Sequence, residues 1–176
     1  VNFITVSDRI MAIVVKTAAG HLSIINHHSP SEDKSTEEKE FHWENLAALN
    51  KSLPKESVKI TMGDANVRWG GRREEEKDFL GKYIFGTGME KIEDSSHTHT
   101  NREQAIEYLR SQKMTFLNSH FPKTNYEKAT FRNPGTRRHW YPAPETHAEL
   151  DQVYGDQTAR NLCIDIKARW DVFNKE

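Results

Sequence analysis

The residues best suited to chemistry stand where predicted strands run out. Val58-Lys59-Ile60-Thr61-Met62 alternates as a half-buried strand does and stops at Gly63-Asp64-Ala65-Asn66. A strand end holds side chains rigidly yet open to a cleft, so an acid and an amide two residues apart can point the same way. Asp64 can bind a hard cation or take a proton from water, and Asn66 can orient water or phosphate without adding charge. Gly, Asp and Asn are also ordinary turn residues, so this signal is weak alone. It gains weight from three other places. Asn26-His27-His28-Ser29-Pro30 closes an earlier strand, Thr130-Phe131-Arg132-Asn133-Pro134-Gly135 forms a strand and turn, and Glu149-Leu150-Asp151-Gln152-Val153 places Asp151 in an apolar strand. An acid inside such a strand is costly unless it is paired or functional.

Nine histidines are a high count for the length. His27-His28 reads as lining the site. His97-Thr98-His99 reads as an exposed polar loop, because no carboxylate or cysteine is placed to complete a metal clamp. His139-Trp140-Tyr141-Pro142 reads as a loop packing its own aromatics, with base stacking beside the neighbouring basic residues as the alternative.

The elements that must position these groups follow from periodicity and caps. Ile10 to Val15 is a β-rich run, apolar on both faces; Ala18-Ala19-Gly20 turns it into a second run, Leu22 to Ile25, giving a hairpin of buried strands. Ser35-Thr36-Glu37-Glu38 is a capping box, and the helix it opens carries Trp43, Leu46, Leu49 and Leu53 near one face until Pro54 ends it. Residues 69–99 have no clean period and read as loops, with Arg72-Arg73-Glu74-Glu75-Glu76 as a solvated face. Thr100-Asn101-Arg102-Glu103 caps a second helix with Ala105, Ile106 and Leu109 as its apolar stripe. Residues 114–117, 129–132, 148–154 and 161–167 are short and strand-like. Strands dominate with two helices interspersed, which predicts a mixed sheet layered with helices.

The chain has 176 residues, 35% hydrophobic and 29% charged, with a mean hydropathy of -0.83. That is one domain with a lean core: either a wet fold or one whose core is incomplete. No stretch is apolar enough to span a bilayer and no basic-then-apolar leader opens it, so the expectation is an intracellular protein, nuclear or cytoplasmic and not secreted. The single Cys163 allows neither an internal disulfide nor a cysteine-type zinc site. A net charge of -1 gives no mandate for nucleic acid, but its distribution is uneven. Residues 31–56 carry a net of -3, and residues 121–140, with Lys123, Lys128, Arg132, Arg137 and Arg138 against Glu127, a net of +4. A phosphate-facing surface would use the second segment.

In this order the motifs resemble the endonuclease/exonuclease/phosphatase superfamily, closest to the apurinic-like endonuclease domains of non-LTR retrotransposons and their craniofacial-development-protein-2-like relatives. The residues that carry the resemblance are His28-Ser29-Pro30, Trp43-Glu44-Asn45-Leu46, Gly63 to Asn66, Asn118-Ser119-His120-Phe121, Thr130 to Gly135, and Glu149 to Val153. It implies an α+β fold: a layered β-sandwich flanked by helices (α/β/β/α, DNase I-like), incomplete here. It implies Mg²⁺- or Mn²⁺-dependent hydrolysis of a phosphodiester in DNA, with the metal neutralising charge and a carboxylate activating water. By resemblance, Asp64 is the metal-associated or water-activating carboxylate, Asn66 orients water and phosphate, Asp151 holds a histidine in its tautomer, and His28 stands where a tyrosine contacts phosphate. Arg132, Arg137, Arg138, Asn118 and Arg68 would meet the nucleic acid.

The departures matter as much. Residues 1–176 read as a partial domain, lacking the first strands that carry an Asn and the principal metal-binding Glu, and lacking a terminal Ser-Asp-His motif. Of two registers for the end of the chain, the preferred one runs a strand through Leu162, Ile164 and Ile166 and stops just short of Asp-His. Gln152 replaces an aromatic, and residues 137–146 look inserted. Two further readings therefore stay open: a decayed, non-catalytic copy that binds nucleic acid or protein, and the phosphatase branch of the same superfamily.

Overall fold

The computed structural model describes residues 1–86, 100–134, 142 and 145–169. Three antiparallel strands open the chain: β1 (Asn2–Ser7), β2 (Ile10–Thr17) and β3 (Gly20–His28). The Ala18-Ala19 turn is closed by Gly20 at φ 128°, a conformation open to glycine. Helix α1 (Thr36–Ser52) crosses over to β4 (Ser57–Asp64), which therefore lies parallel to β3. Ser35 caps α1, its hydroxyl accepting from the Glu38 N–H at 3.2 Å. After a long loop come α2 (Asn101–Gln112), β5 (Thr115–Phe116), α3 (Asn125–Lys128), β6 (Phe131–Arg132), β7 (His147–Ala148), β8 (Asp151–Gly155) and α4 (Gln157–Leu162). The main sheet runs β1-β2-β3-β4-β8-β5, and β6-β7 make a separate pair. The result is the expected α+β arrangement, a mixed sheet flanked by helices.

The core lies on one side of that sheet. Register partners place Ile4, Ala12, Ile25, Thr61, Tyr154 and Phe116 in one row across it, with Ile10, His27, Gly63 and Gln152 in the next. Trp43, Leu46, Leu49 and Leu53 of the α1 region and Ala105, Ile106, Tyr108 and Leu109 of α2 complete this buried cluster. Polar pins fix its depth: Trp43 Nε1 donates to Asn101 Oδ1 at 3.0 Å, and the Thr61 and Tyr108 hydroxyls meet at 2.8 Å. No helix of the described residues is long and apolar enough to cross a membrane.

Four sequence expectations need correction. The first hairpin is buried on one face only, because Met11, Ile13, Val15, Leu22 and Ile24 are exposed or half-buried while Ala12 and Ile25 are fully covered. Strand β1 was not expected; most of its residues are exposed at the sheet edge, which erases the alternation that marks a strand. Residues 161–167 form no strand. Asp156 accepts from the Ala159 N–H at 2.8 Å and starts α4 instead, leaving Leu162 and Ile164 exposed, so the preferred register for the chain's end lacks its strand. Finally, Glu76 is not on a solvated face: it is buried and pairs with Arg102 at 2.9 Å, and Arg102 also donates to the Trp69 and Gly71 carbonyls.

Candidate active site

The sheet's open end assembles three residues from three strands. His28 ends β3, Asp64 ends β4 and Asp151 begins β8, and they are register partners in one row, all on the face away from α1 and α2. His28 Nε2 lies 4.0 Å from Asp64 Oδ2. The strands hold this row tightly. Ser29 N–H donates to the Asp64 carbonyl at 2.8 Å and Ala65 N–H to the Leu150 carbonyl at 2.9 Å, tying all three strand ends together.

Gly63 is dictated by packing. At φ 140° it lies so close to β3 that a β-carbon would sit 1.9 Å from the His27 carbonyl oxygen. Asp64 then makes a tight local turn: its Oδ1 accepts from the Asn66 N–H at 3.0 Å, and Asn66 adopts φ 49°, which asparagine tolerates. The Asn66 side chain donates to the Ser29 carbonyl at 2.8 Å, joining the β4 end to the loop after β3.

Charge at this row is held against its preference. Burial pushes the Asp64 carboxyl above its ordinary pKa; the Asn66 N–H pulls the other way, Asp151 adds to the rise and His28 opposes it. Asp151 itself is exposed. The buried acid of this segment is Glu149, two residues earlier, whose pKa burial raises to about 7. The sequence reading missed it because Asp151 and Glu149 share a parity, and only the position of the strand start shows which one is covered.

Behind the row, the start of β8 is clamped from two directions. The Thr130 hydroxyl accepts from the Leu150 and Asp151 N–H groups at 2.9 and 3.0 Å. Asn118 is buried: its Oδ1 accepts from the Val153 N–H at 2.9 Å, and its Nδ2 donates to Glu149 Oε1 at 3.1 Å and towards the Asp151 carbonyl at 3.5 Å. Asn118 thus stands behind the site as a brace and not at a surface that nucleic acid could reach. Arg68 and Arg132 are exposed and border one residue, His147: Arg68 Nη1 reaches its carbonyl at 3.4 Å, and Arg132 is its register partner. Arg137 and Arg138 lie outside the described residues, as do His97, His99 and residues 139–141.

His27 does not line the site. It points to the helix side, buried, with Nδ1 3.3 Å from His42 Nε2 and both near the Ser29 hydroxyl. Burial lowers the pKa of His27 to about 3 and of His42 to about 4, so both imidazoles are neutral at pH 7. Alternation along β3 explains the division, since His27 and His28 must face opposite ways. Beside Glu149, the loop carrying Arg68 and Trp69 encloses a cavity of ≈ 20 Å³, room for a water but not for a nucleobase.

Neither a protein-family model nor a curated protein matches the chain. Solved structures do. The endonuclease domain of TRAS1, a telomere-specific non-LTR retrotransposon, matches over 89% of this chain and 54% of its own, with 14% identity and a TM-score of 0.50. D. rerio TDP2 in complex with a single-strand DNA product matches over 85% and 48%, with 11% identity and a TM-score of 0.44. An endonuclease/exonuclease/phosphatase family protein from Leptotrichia buccalis C-1013-b matches over 84% and 42%, with 14% identity and a TM-score of 0.47. The chain thus spans about half the length of these structures. At such identities the likeness is one of fold: this chain has part of the DNase I-like α+β fold of the TRAS1 endonuclease domain, as its motif order led us to expect.

Proposed function

We propose that the chain is part of a Mg²⁺- or Mn²⁺-dependent phosphodiesterase domain that cleaves DNA and descends from a retroelement endonuclease. The observation that carries this reading is the row His28, Asp64, Asp151, built from three strand ends on one face at the open end of the sheet. Asp64 suits a hard divalent cation, which takes one or two carboxylates and leaves its other positions to water and phosphate, and Asp151 would hold a histidine of the complete domain in its tautomer. When bound, such a cation neutralises charge on the scissile phosphate and the leaving oxygen. If the cation sits elsewhere, Asp64 takes the other role, accepting a proton from the attacking water, for which burial raises its pKa in the useful direction. Asn66 holds the Asp64 turn in shape through its two hydrogen bonds. His28, exposed beside Asp64, can donate to a phosphate oxygen, and Arg68 and Arg132, exposed on either side of His147, can meet phosphates of a bound strand. The two arginines favour a polyanionic strand over a small phosphate ester, the substrate of the phosphatase branch.

Plasmid nicking tests this. A protein that carries this chain together with the strands expected before it and the Asp-His expected after it should relax supercoiled DNA in Mg²⁺ and not in a chelator, and Asp64→Ala in that protein should lose about 10²–10⁴ of the rate; residues 1–176 alone should nick weakly or not at all. Failure of the extended protein to nick, or equal nicking by it and its Asp64→Ala variant, would reject the assignment.

A second reading is binding without cleavage. One observation favours it: at the site itself the chain departs from the pattern it resembles, with His28 where a tyrosine contacts phosphate and Gln152, next to Asp151, where an aromatic stands. Salt-dependent DNA binding that ignores both Mg²⁺ and Asp64→Ala would establish it, and nicking that needs Asp64 would exclude it.

A further inference from the structure

The candidate row lies on the bare face of the sheet, the one turned away from α1 and α2, yet a short strap of chain joins it to the buried side. Ser29 and Pro30 follow β3 directly, and each is held from the helix layer. The Ser29 hydroxyl lies 3.2 Å from His27 Nδ1 and 3.1 Å from His42 Nε2 of α1, and those two nitrogens are 3.3 Å apart. The Pro30 carbonyl accepts from Asn101 Nδ2 of α2 at 2.6 Å. On its other side the strap meets the site: the Ser29 N–H donates to the Asp64 carbonyl, and the Ser29 carbonyl accepts from Asn66 Nδ2, both at 2.8 Å. The Asn66 N–H in turn holds Asp64 Oδ1 at 3.0 Å. The carboxylate is thus connected to α1 through one residue, Ser29.

Ser29, His27 and His42 are all buried. Three apolar side chains would fill that volume at a lower cost, since burying polar groups disfavours the fold and His27 Nε2 finds no partner. What the polar trio adds is direction. Apolar packing would let the Ser29 peptide rotate by small amounts, whereas a satisfied polar network fixes it, and that peptide supplies the N–H and C=O that Asp64 and Asn66 use. A neutral imidazole offers one donor and one acceptor, while a hydroxyl can donate and accept at once, so the serine is the member that closes the triangle. Helix α1 is itself fixed at this turn, since the Trp43 indole donates to Asn101 Oδ1 at 3.0 Å. We propose that Ser29 and His42 are positioning residues for the candidate site, setting from the helix side the turn that aims the Asp64 carboxylate. This rests on the reading of Asp64 as the working carboxylate.

The test uses the protein that carries this chain with the strands and the Asp-His expected around it. It compares Ser29→Ala, His42→Leu and His42→Gln, whose amide nitrogen reaches where the imidazole Nε2 stands. In plasmid nicking, Ser29→Ala and His42→Leu should lose about 10–100-fold in kcat with KM unchanged, as the loss of a hydrogen bond behind a metal-site carboxylate does. His42→Gln should recover most of that loss. Hydrogen exchange reads the same contacts without any chemistry. The Asn66 N–H should exchange at least about tenfold faster in Ser29→Ala and His42→Leu and at its original rate in His42→Gln, with the β2–β3 amides unchanged in all three. A full kcat in folded Ser29→Ala overturns the proposal, and so does a His42→Gln that falls as far as His42→Leu, which would make the role one of packing. If the unaltered protein does not nick, the catalytic reading fails by itself; a quickened Asn66 exchange in Ser29→Ala then upholds the positioning, and an unmoved one overturns it. Should His42→Leu unfold, Ser29→Ala, which removes a single oxygen, decides.

Discussion

The two faces of the six-stranded sheet are made by the same strands, yet every second residue meets a different world. On the helix side Ala12, Ile25, Thr61 and Tyr154 are fully covered; their immediate neighbours Ile13, Ile24, Met62 and Val153 are not. The helix side also carries the polar pins and the neutral histidine pair, so it holds the fold in one arrangement. The other side bears the charged row at its rim and little that fixes the fold. Stability and chemistry are thus divided by strand parity: a single side chain moved by one position would change from one duty to the other.

Four measurements sharpen or break that division. The largest effect should come from the helix side: Trp43→Ala removes a buried indole and its bond to Asn101, and urea unfolding should show a loss of about 3–5 kcal/mol. A loss below about 1 kcal/mol would mean the helices do not hold the sheet.

Next is acid. His27 and His42 have folded pKa values below their ordinary one, so the unfolded chain binds more protons below pH 6.5 and stability falls on acidification. Glu149, raised to about 7, binds its proton in the folded state and offsets part of this between pH 7 and 4.5. At about 1.4 kcal/mol per pH unit per group, two histidines against one glutamate lose on the order of 2–3 kcal/mol between pH 6.5 and 4.5. Thermal melts over that range should fall, and the fall should vanish or reverse in the His27→Leu, His42→Leu double variant.

A smaller change is expected on the bare face. Ile24→Thr should alter the stability of the single chain by less than about 1 kcal/mol. A cost like that of Trp43→Ala would show that the face is covered within one chain.

The smallest effect has the opposite sign. Asp64→Asn removes a charge that burial disfavours while keeping an oxygen for the Asn66 N–H, so urea unfolding should show a slight gain in stability.

What could be read from the sequence was local. The N-caps at Ser35 and Thr100, the stop at Pro54 and the strand ending at Gly63-Asp64 depend on residues within a few positions of one another, and the structure has each in place, although neither cap has the reciprocal glutamate bond of a full capping box. The rest depends on partners distant in the chain. Nothing near Glu76 announces Arg102, and nothing near Asn118 announces the β8 N–H groups it braces. The hairpin's apolar residues look alike on both faces, so which face is covered is set by where α1 and α2 land. Asp64, Asn66 and Asp151 were legible as candidates because strand ends punctuate the sequence. That His28 stands beside Asp64 while His27 turns inward follows from alternation, but only once the strand register is known.

The contact at Gly63 bears on how such a motif should be read across copies of a gene. Any side chain there would strike the β3 backbone, so the fold itself forbids replacement whether or not the protein cleaves anything. Asp64 meets no such steric bar, and burial works against its charge. In a lineage released from catalytic duty the glycine would persist and the aspartate would drift. Of the two neighbours, only the aspartate is a witness to selection for chemistry.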